Sequence, residues 1–113
     1  MKLNQPSGLY NIPINGKNTE VFCDMKNYGG GWTIIQRRGD YGNDENYFNR
    51  NWTEYKNGFG HPKKEFWIGL EAIYMLTNSE PMDVRLYFSC LFYFYCPAFL
   101  DISGRPTPSC QKE

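Results

Sequence analysis

One hundred and thirteen residues suit one small domain, which buries roughly two-thirds of the surface its unfolded chain exposes. Twelve basic and twelve acidic residues cancel, and no run of lysine or arginine exceeds two. The footprint of a nucleic-acid binder is therefore missing, and nothing steers the chain towards an acidic partner.

The first six residues, Met1-Lys2-Leu3-Asn4-Gln5-Pro6, have no apolar core and read as a short leader, not a signal peptide. Gly8-Leu9-Tyr10-Asn11-Ile12-Pro13-Ile14 alternates like a half-buried strand, and Asn15-Gly16 is a strong hairpin-turn signal. Glu20-Val21-Phe22-Cys23 reads as the returning strand. Lys26 to Gly31 forms a loop ending in Gly29-Gly30-Gly31, followed by a third strand from Trp32 to Arg37. Gly39 to Asn49 is polar and reads as a solvated loop. A short helix is expected from Trp52 to Asn57, stopped by Gly58. Glu65 to Ile68 is apolar enough for a buried strand. Leu70 to Leu76 carries apolar residues at helical spacing, and Asp83 to Leu86 begins a further strand. Strands and helices mix without regular alternation, which predicts an α+β fold with an antiparallel sheet.

Beyond Tyr87 the pattern changes. Tyr87-Phe88-Ser89-Cys90-Leu91-Phe92-Tyr93-Phe94-Tyr95-Cys96-Pro97-Ala98-Phe99-Leu100 has no period of two or of 3.6, and a proline- and serine-containing tail follows to Glu113. The run lies between Arg85 and Asp101 and is shorter than the roughly 20 apolar residues of a membrane helix. Residues 87–113 are read as a segment unrelated to what precedes them, such as translated intron or shifted frame.

Enzyme chemistry finds little to use. His61 is the only histidine and precedes Pro62 in a polar connection; no Gly-x-Ser-x-Gly elbow exists. Cys23, His61, Cys90, Cys96 and Cys110 lack the paired spacing of zinc sites. Asp40, Asn43, Asp44 and Glu45 offer oxygen ligands without the spacing of a calcium loop. Gly29-Gly30-Gly31 leads into a strand rather than the helix a phosphate cradle needs, so close packing beside Trp32 is the expected role. Trp32, Trp52 and Trp67 have faces suited to stacking on sugars, yet they fall inside strand and helix patterns and are read as core.

Four cysteines and the sequon Asn51-Trp52-Thr53 point to a secretory ancestry and mark Asn51 as a glycosylation candidate. Four cysteines allow three pairings. Cys90 and Cys96, if the stretch between them is extended, lie roughly 20 Å apart, beyond the roughly 7 Å limit for a bridge. No glycine, proline or asparagine lies between them to build a tight hairpin, which argues against their pairing.

Several segments carry a resemblance in uninterrupted order: Cys23-Asp24-Met25, Gly29 to Arg38, Phe48 to Lys56, Gly58-Phe59-Gly60 and Glu65 to Leu70. Residues 7–86 resemble the fibrinogen C-terminal (fibrinogen-related) domain, in the flavour of the lectin-like invertebrate tachylectin or ficolin type. The resemblance implies a small N-terminal subdomain followed by the start of a larger antiparallel-sheet subdomain, with Gly29, Gly30, Gly31, Trp32, Trp52, Gly58, Gly60, Trp67 and Gly69 as scaffold. It implies a secreted, non-catalytic protein of innate immunity that recognises glycans or acetylated groups, often as a homo-oligomer. The family holds calcium on a later aspartate-rich loop and reads its ligand in a later pocket, so no cofactor or ligand residue carries over to this chain. The family's partner for Cys23 lies upstream and has no counterpart here. The sequence is accordingly read as a secreted-type fragment without its export signal, an incomplete gene model or degraded copy. Two losses are then expected: a bridge worth about 2–5 kcal/mol, and an open edge on the strand starting at Asp83, which the aromatic run would either cover fortuitously or leave prone to aggregation.

Overall fold

The computed structural model describes residues 5–78, 81–88 and 98–104. Strand β1 (Gly8–Ile14) and strand β2 (Lys17–Asp24) form an antiparallel hairpin with Ile14 opposite Lys17. The two turn residues, Asn15 and Gly16, take φ values of 54° and 74°. A turn with both central φ positive matches the twist of its strands, which is why Asn-Gly works there. Alternation puts Ile12, Ile14, Val21 and Cys23 inward, all buried.

Strand β3 (Trp32–Arg38) is the hub of the sheet. Its start pairs with β2, through Cys23 opposite Thr33 and Asp24 opposite Trp32. Its later half pairs with β5 (Phe66–Trp67), which also pairs with β4 (Phe59–Gly60). Its other edge pairs with β7 (Ala98–Gly104), and β7 pairs in turn with β6 (Met82–Phe88). Every pairing among the described residues is antiparallel. A register shift between Ile34 and Gln36 marks a bulge at Ile35, so two successive isoleucines are buried instead of alternating in and out. The Ile35 carbonyl accepts the Ile68 N–H at 2.9 Å.

Helix α1 (Trp52–Asn57) and helix α2 (Leu70–Thr77) complete an α+β architecture. Ala72, Ile73 and Leu76 of α2 pack onto the core cluster of Ile12, Ile14, Val21, Cys23, Ile34, Ile35, Phe66, Ile68 and Ile102.

The last strand differs from the sequence reading, which leaves residues 98–104 in an unrelated tail. The structure inserts them between β3 and β6, with Asp101 fully buried and Ile102 2% exposed. Of the two outcomes expected for the open edge at Asp83, the structure has the covered one, with β7 along the whole length of β6. The reason is a charge pairing between distant residues. Arg85 Nε donates to Asp101 Oδ1 at 3.0 Å, and Arg85 Nη2 donates to Asp24 Oδ2 at 2.7 Å and to Asp101 Oδ2. The same guanidinium lies 4.7 Å from the Trp32 ring centroid. An aspartate in an apolar run is a poor strand signal until its cation is known.

Cys23 is fully buried and disulfide-bonded. The other three cysteines, the leader residues 1–4, the aromatic stretch 89–97 and the tail 105–113 lie outside the described residues, as do the expectations made for them.

Candidate functional site

The site candidate is a groove of about 910 Å³ between the β1–β2 hairpin and the two helices. The hairpin contributes Ile14, Asn15, Lys17, Asn18 and Glu20; α1 contributes Trp52, Lys56 and Asn57; α2 contributes Leu70, Tyr74 and Met75. Its rim is aromatic and open: Trp52 is 70% exposed and Tyr74 62%. Lys56 and Glu71 bridge the helices at 3.6 Å, both half-exposed or more, so the pair is worth less than about 1 kcal/mol.

Local chemistry explains why α1 stands where it does. Asn51 is its N-cap: Asn51 Oδ1 accepts the Glu54 N–H at 2.9 Å, and Glu54 Oε1 accepts the Asn51 N–H at 3.3 Å. This reciprocal box satisfies two backbone donors that a six-residue helix would otherwise leave bare. The Arg50 guanidinium, 2.9 Å from Glu54, together with the Asn51 amide holds the Glu54 carboxyl below the ordinary carboxylate range. Replacing Asn51 by Ala is expected to lower stability by about 1 kcal/mol, and by Asp much less, in protein made without glycosylation. Urea titration of the two variants checks this.

The expected scaffold positions divide by what surrounds them. Trp32 is buried, and Trp67 is half-buried with its Nε1 donating to the Tyr55 carbonyl at 2.8 Å. Trp52 departs from the core reading, because a helix of six residues with polar neighbours has no buried face. The polar run Thr53-Glu54 and Lys56-Asn57 is the signal that points to this exposure. Gly30 fits the close-packing expectation: an added Cβ would lie 2.5 Å from the Met25 carbonyl oxygen, whereas Gly29 has open space. Gly31 shares the positive φ of its two predecessors. Gly58 and Gly69 bring the end of α1 against the start of α2, and Gly60 abuts the Glu65 carbonyl.

The other chemical candidates do not converge. His61 Nδ1 accepts the Lys63 N–H at 3.1 Å. Asn43 Nδ2 donates to Glu65 Oε1, and Asp44 Oδ1 accepts the Asn46 N–H. Glu65, only 6% exposed, also holds Arg38 Nε and the Gly39 N–H, which ties the polar loop to the sheet. Calcium finds no set of three close acidic, histidine or cysteine ligands among the described residues. Nor is any described helix long and apolar enough to cross a membrane.

Residues 1–91 match the family model described as fibrinogen beta and gamma chains, C-terminal globular domain. The chain belongs to the fibrinogen C-terminal domain family. This fibrinogen C-terminal domain chain is 52% identical over 65 residues to Techylectin-5A of Tachypleus tridentatus, an alignment covering 58% of the chain and 22% of that protein. It is 54% identical over 61 residues to a techylectin-like protein of Phoneutria nigriventer, covering 54% of the chain and 27% of the relative. Against Angiopoietin-2 of Canis lupus familiaris it is 41% identical over 83 residues, 72% of the chain and 16% of that protein. The fold is similar to the solved fibrinogen-like globe domain of human ANGPTL6, with a TM-score of 0.70 and 34% identity, covering 87% of the chain and 42% of that structure. The chain thus spans less than a third of these curated relatives and under half of the solved domain.

Proposed function

We propose that the chain is the scaffold portion of a secreted, non-catalytic fibrinogen-related domain of the lectin type, whose intact form recognises glycans or acetylated groups. The observation that supports this most is the 52% and 54% identity to two proteins named as lectins or lectin-like. In this reading residues 7–86 supply the N-terminal subdomain and the first strands of the large sheet. Ligand and calcium are held by a later part of the domain, and the intact protein works as an oligomer in the extracellular space.

A second reading, an extracellular protein-interaction module without sugar binding, is favoured by the longer alignment to Angiopoietin-2. Affinity chromatography separates the two. The 113-residue chain alone should pass unretained through an acetylated-sugar resin in calcium. The same chain fused to the remainder of a techylectin-type domain should be retained and released by a chelator. Specific retention of the unfused chain would overturn the scaffold reading. Self-association of the fusion without retention would favour the interaction module.

A further inference from the structure

We infer that Asn51 carries an N-linked glycan whose first sugars lie along the exposed Trp52 face and enter the groove between the hairpin and the helices. The inference rests on the secretory-route reading above, because the modification needs that compartment.

Three observations meet at this point. The sequon Asn51-Trp52-Thr53 is exposed at all three residues. Within the Asn51 amide the two polar atoms have separate fates: Oδ1 caps the Glu54 N–H, while Nδ2 makes no hydrogen bond among the described residues. N-glycosylation attaches at Nδ2 and leaves Oδ1 in place, so the sugar and the helix cap are compatible. Next to that nitrogen in sequence stands Trp52, 70% exposed and the most exposed large apolar side chain among the described residues.

The groove offers chemistry suited to sugar. A saccharide ring presents an apolar C–H face and a rim of hydroxyls. Trp52, Tyr74 and Met75 provide the apolar surface, and Asn15, Asn18 and Lys56 provide donors and acceptors around it. Its volume of about 910 Å³ lies near the upper end of ordinary ligand pockets, roughly 300–1,000 Å³, so it has room for more than one ring. A tethered glycan reaches it at high effective concentration and needs little intrinsic affinity. The occupant is therefore the chain's own glycan, not a free ligand.

In the transfer step, Nδ2 attacks the anomeric carbon of a lipid-diphosphate-linked oligosaccharide. The new bond is C–N; the bond from that carbon to the diphosphate oxygen breaks. The lipid diphosphate leaves with the electron pair, and the amide gives up one proton.

The test expresses the full chain behind a secretion signal in eukaryotic cells and isolates it from cells and medium together. Intact mass before and after amidase deglycosylation, with Thr53→Ala as the unmodified control, reports occupancy. Deglycosylation converts Asn51 to Asp, which preserves the cap. Acrylamide quenching of tryptophan fluorescence then reports Trp52, since Trp32 is only 9% exposed and Trp67 is half-buried. The glycosylated form should be quenched about half as strongly as the deglycosylated form, because one indole face is covered. That difference should vanish in Trp52→Leu. An unmodified Asn51 overturns the proposal, and so does a glycosylated chain with unchanged quenching. Neither outcome bears on retention by the sugar resin, which tests the functional reading separately.

Discussion

Replacing Arg85 with Ala should cost about 3–5 kcal/mol, the range measured when one member of a buried ion pair is removed. Small domains are held by only about 5–15 kcal/mol, so this variant should be largely unfolded in moderate urea. Two carboxylates depend on this one guanidinium. Asp101 is fully buried, and Asp24 is 8% exposed. Burial pushes the Asp101 carboxyl up, against the pull of Arg85, and the Asp24 charge adds to the rise. Asp24 goes the other way. Burial opposes its ionisation, yet hydrogen bonds from Arg85, the Asn27 side chain and the Lys26 and Asn27 N–H groups bring it down to about 2. Arg85→Lys should recover only part of the loss, since a point charge cannot present a planar fork to two acceptors. Adding Asp101→Asn to Arg85→Ala should recover stability as well, by removing the stranded charge. Urea denaturation followed by circular dichroism measures all three; a loss under about 1 kcal/mol for Arg85→Ala would show that β7 does not depend on this cluster.

The same cluster sets an acid response with a definite sign. Asp24 has a folded pKa below its unfolded value, so its contribution is present above about pH 4 and is lost as pH falls towards 2. The shift from 3.8 to about 2 corresponds to roughly 2 kcal/mol. Asp101, raised in the fold, contributes with the opposite sign: its ionised form penalises the folded state, and protonation relieves that penalty as pH falls. In Asp24→Asn the loss between about pH 4 and 2 should shrink by the Asp24 share, whereas Asp101→Asn should remove the gain that Asp101 protonation gives above about pH 4. Urea midpoints from neutral pH down to about 2 decide both.

Gly69→Ala should be the second large effect, roughly 2–5 kcal/mol from backbone strain and overpacking together. Gly69 precedes α2 with φ at 108°, a conformation side-chain-bearing residues rarely adopt. An added Cβ would sit 2.7 Å from the Asn57 carbonyl carbon and 2.8 Å from the Gly58 nitrogen. Both neighbours are backbone, so no rotamer change relieves the contact. Gly58 faces the reciprocal problem against the Ile68 carbonyl, with φ at 96°. The junction between α1 and α2, which forms the helical wall of the groove, is therefore held at glycine–glycine distance. Gly42→Ala is the control: its φ is 95°, but nothing lies within 4 Å of the added Cβ. It should lose only about 1 kcal/mol. Equal thermal shifts for the two variants would show that the close approach contributes nothing.

Much of this architecture is legible in the chain because its cause is local. Asn15-Gly16 specifies a two-residue hairpin through the φ values those residues accept. Alternating Ile12, Ile14, Val21 and Cys23 specify which face turns inward. Asn51 and Glu54 start α1 and Gly58 ends it, all within about two turns. The family resemblance of residues 7–86 rests on Cys23 to Met25, Gly29 to Arg38, Phe48 to Lys56, Gly58 to Gly60 and Glu65 to Leu70, and the mixture of strand and helix patterns along the chain gives the α+β antiparallel fold. Trp52 shows the limit: helical pattern alone places it with the core, yet whether a one-and-a-half-turn helix buries anything depends on what stands across from it.

What the amino-acid order determined by itself is the set of hairpins, caps and strand faces, because turn chemistry and side-chain periodicity act between residues a few positions apart. What only the tertiary structure decided is where β7 goes, which cation neutralises Asp101, and how the hairpin and helices enclose a groove. Those outcomes depend on pairings such as Arg85 with Asp24, 61 residues apart. Burying a charge is unfavourable or favourable according to a partner that no local window contains.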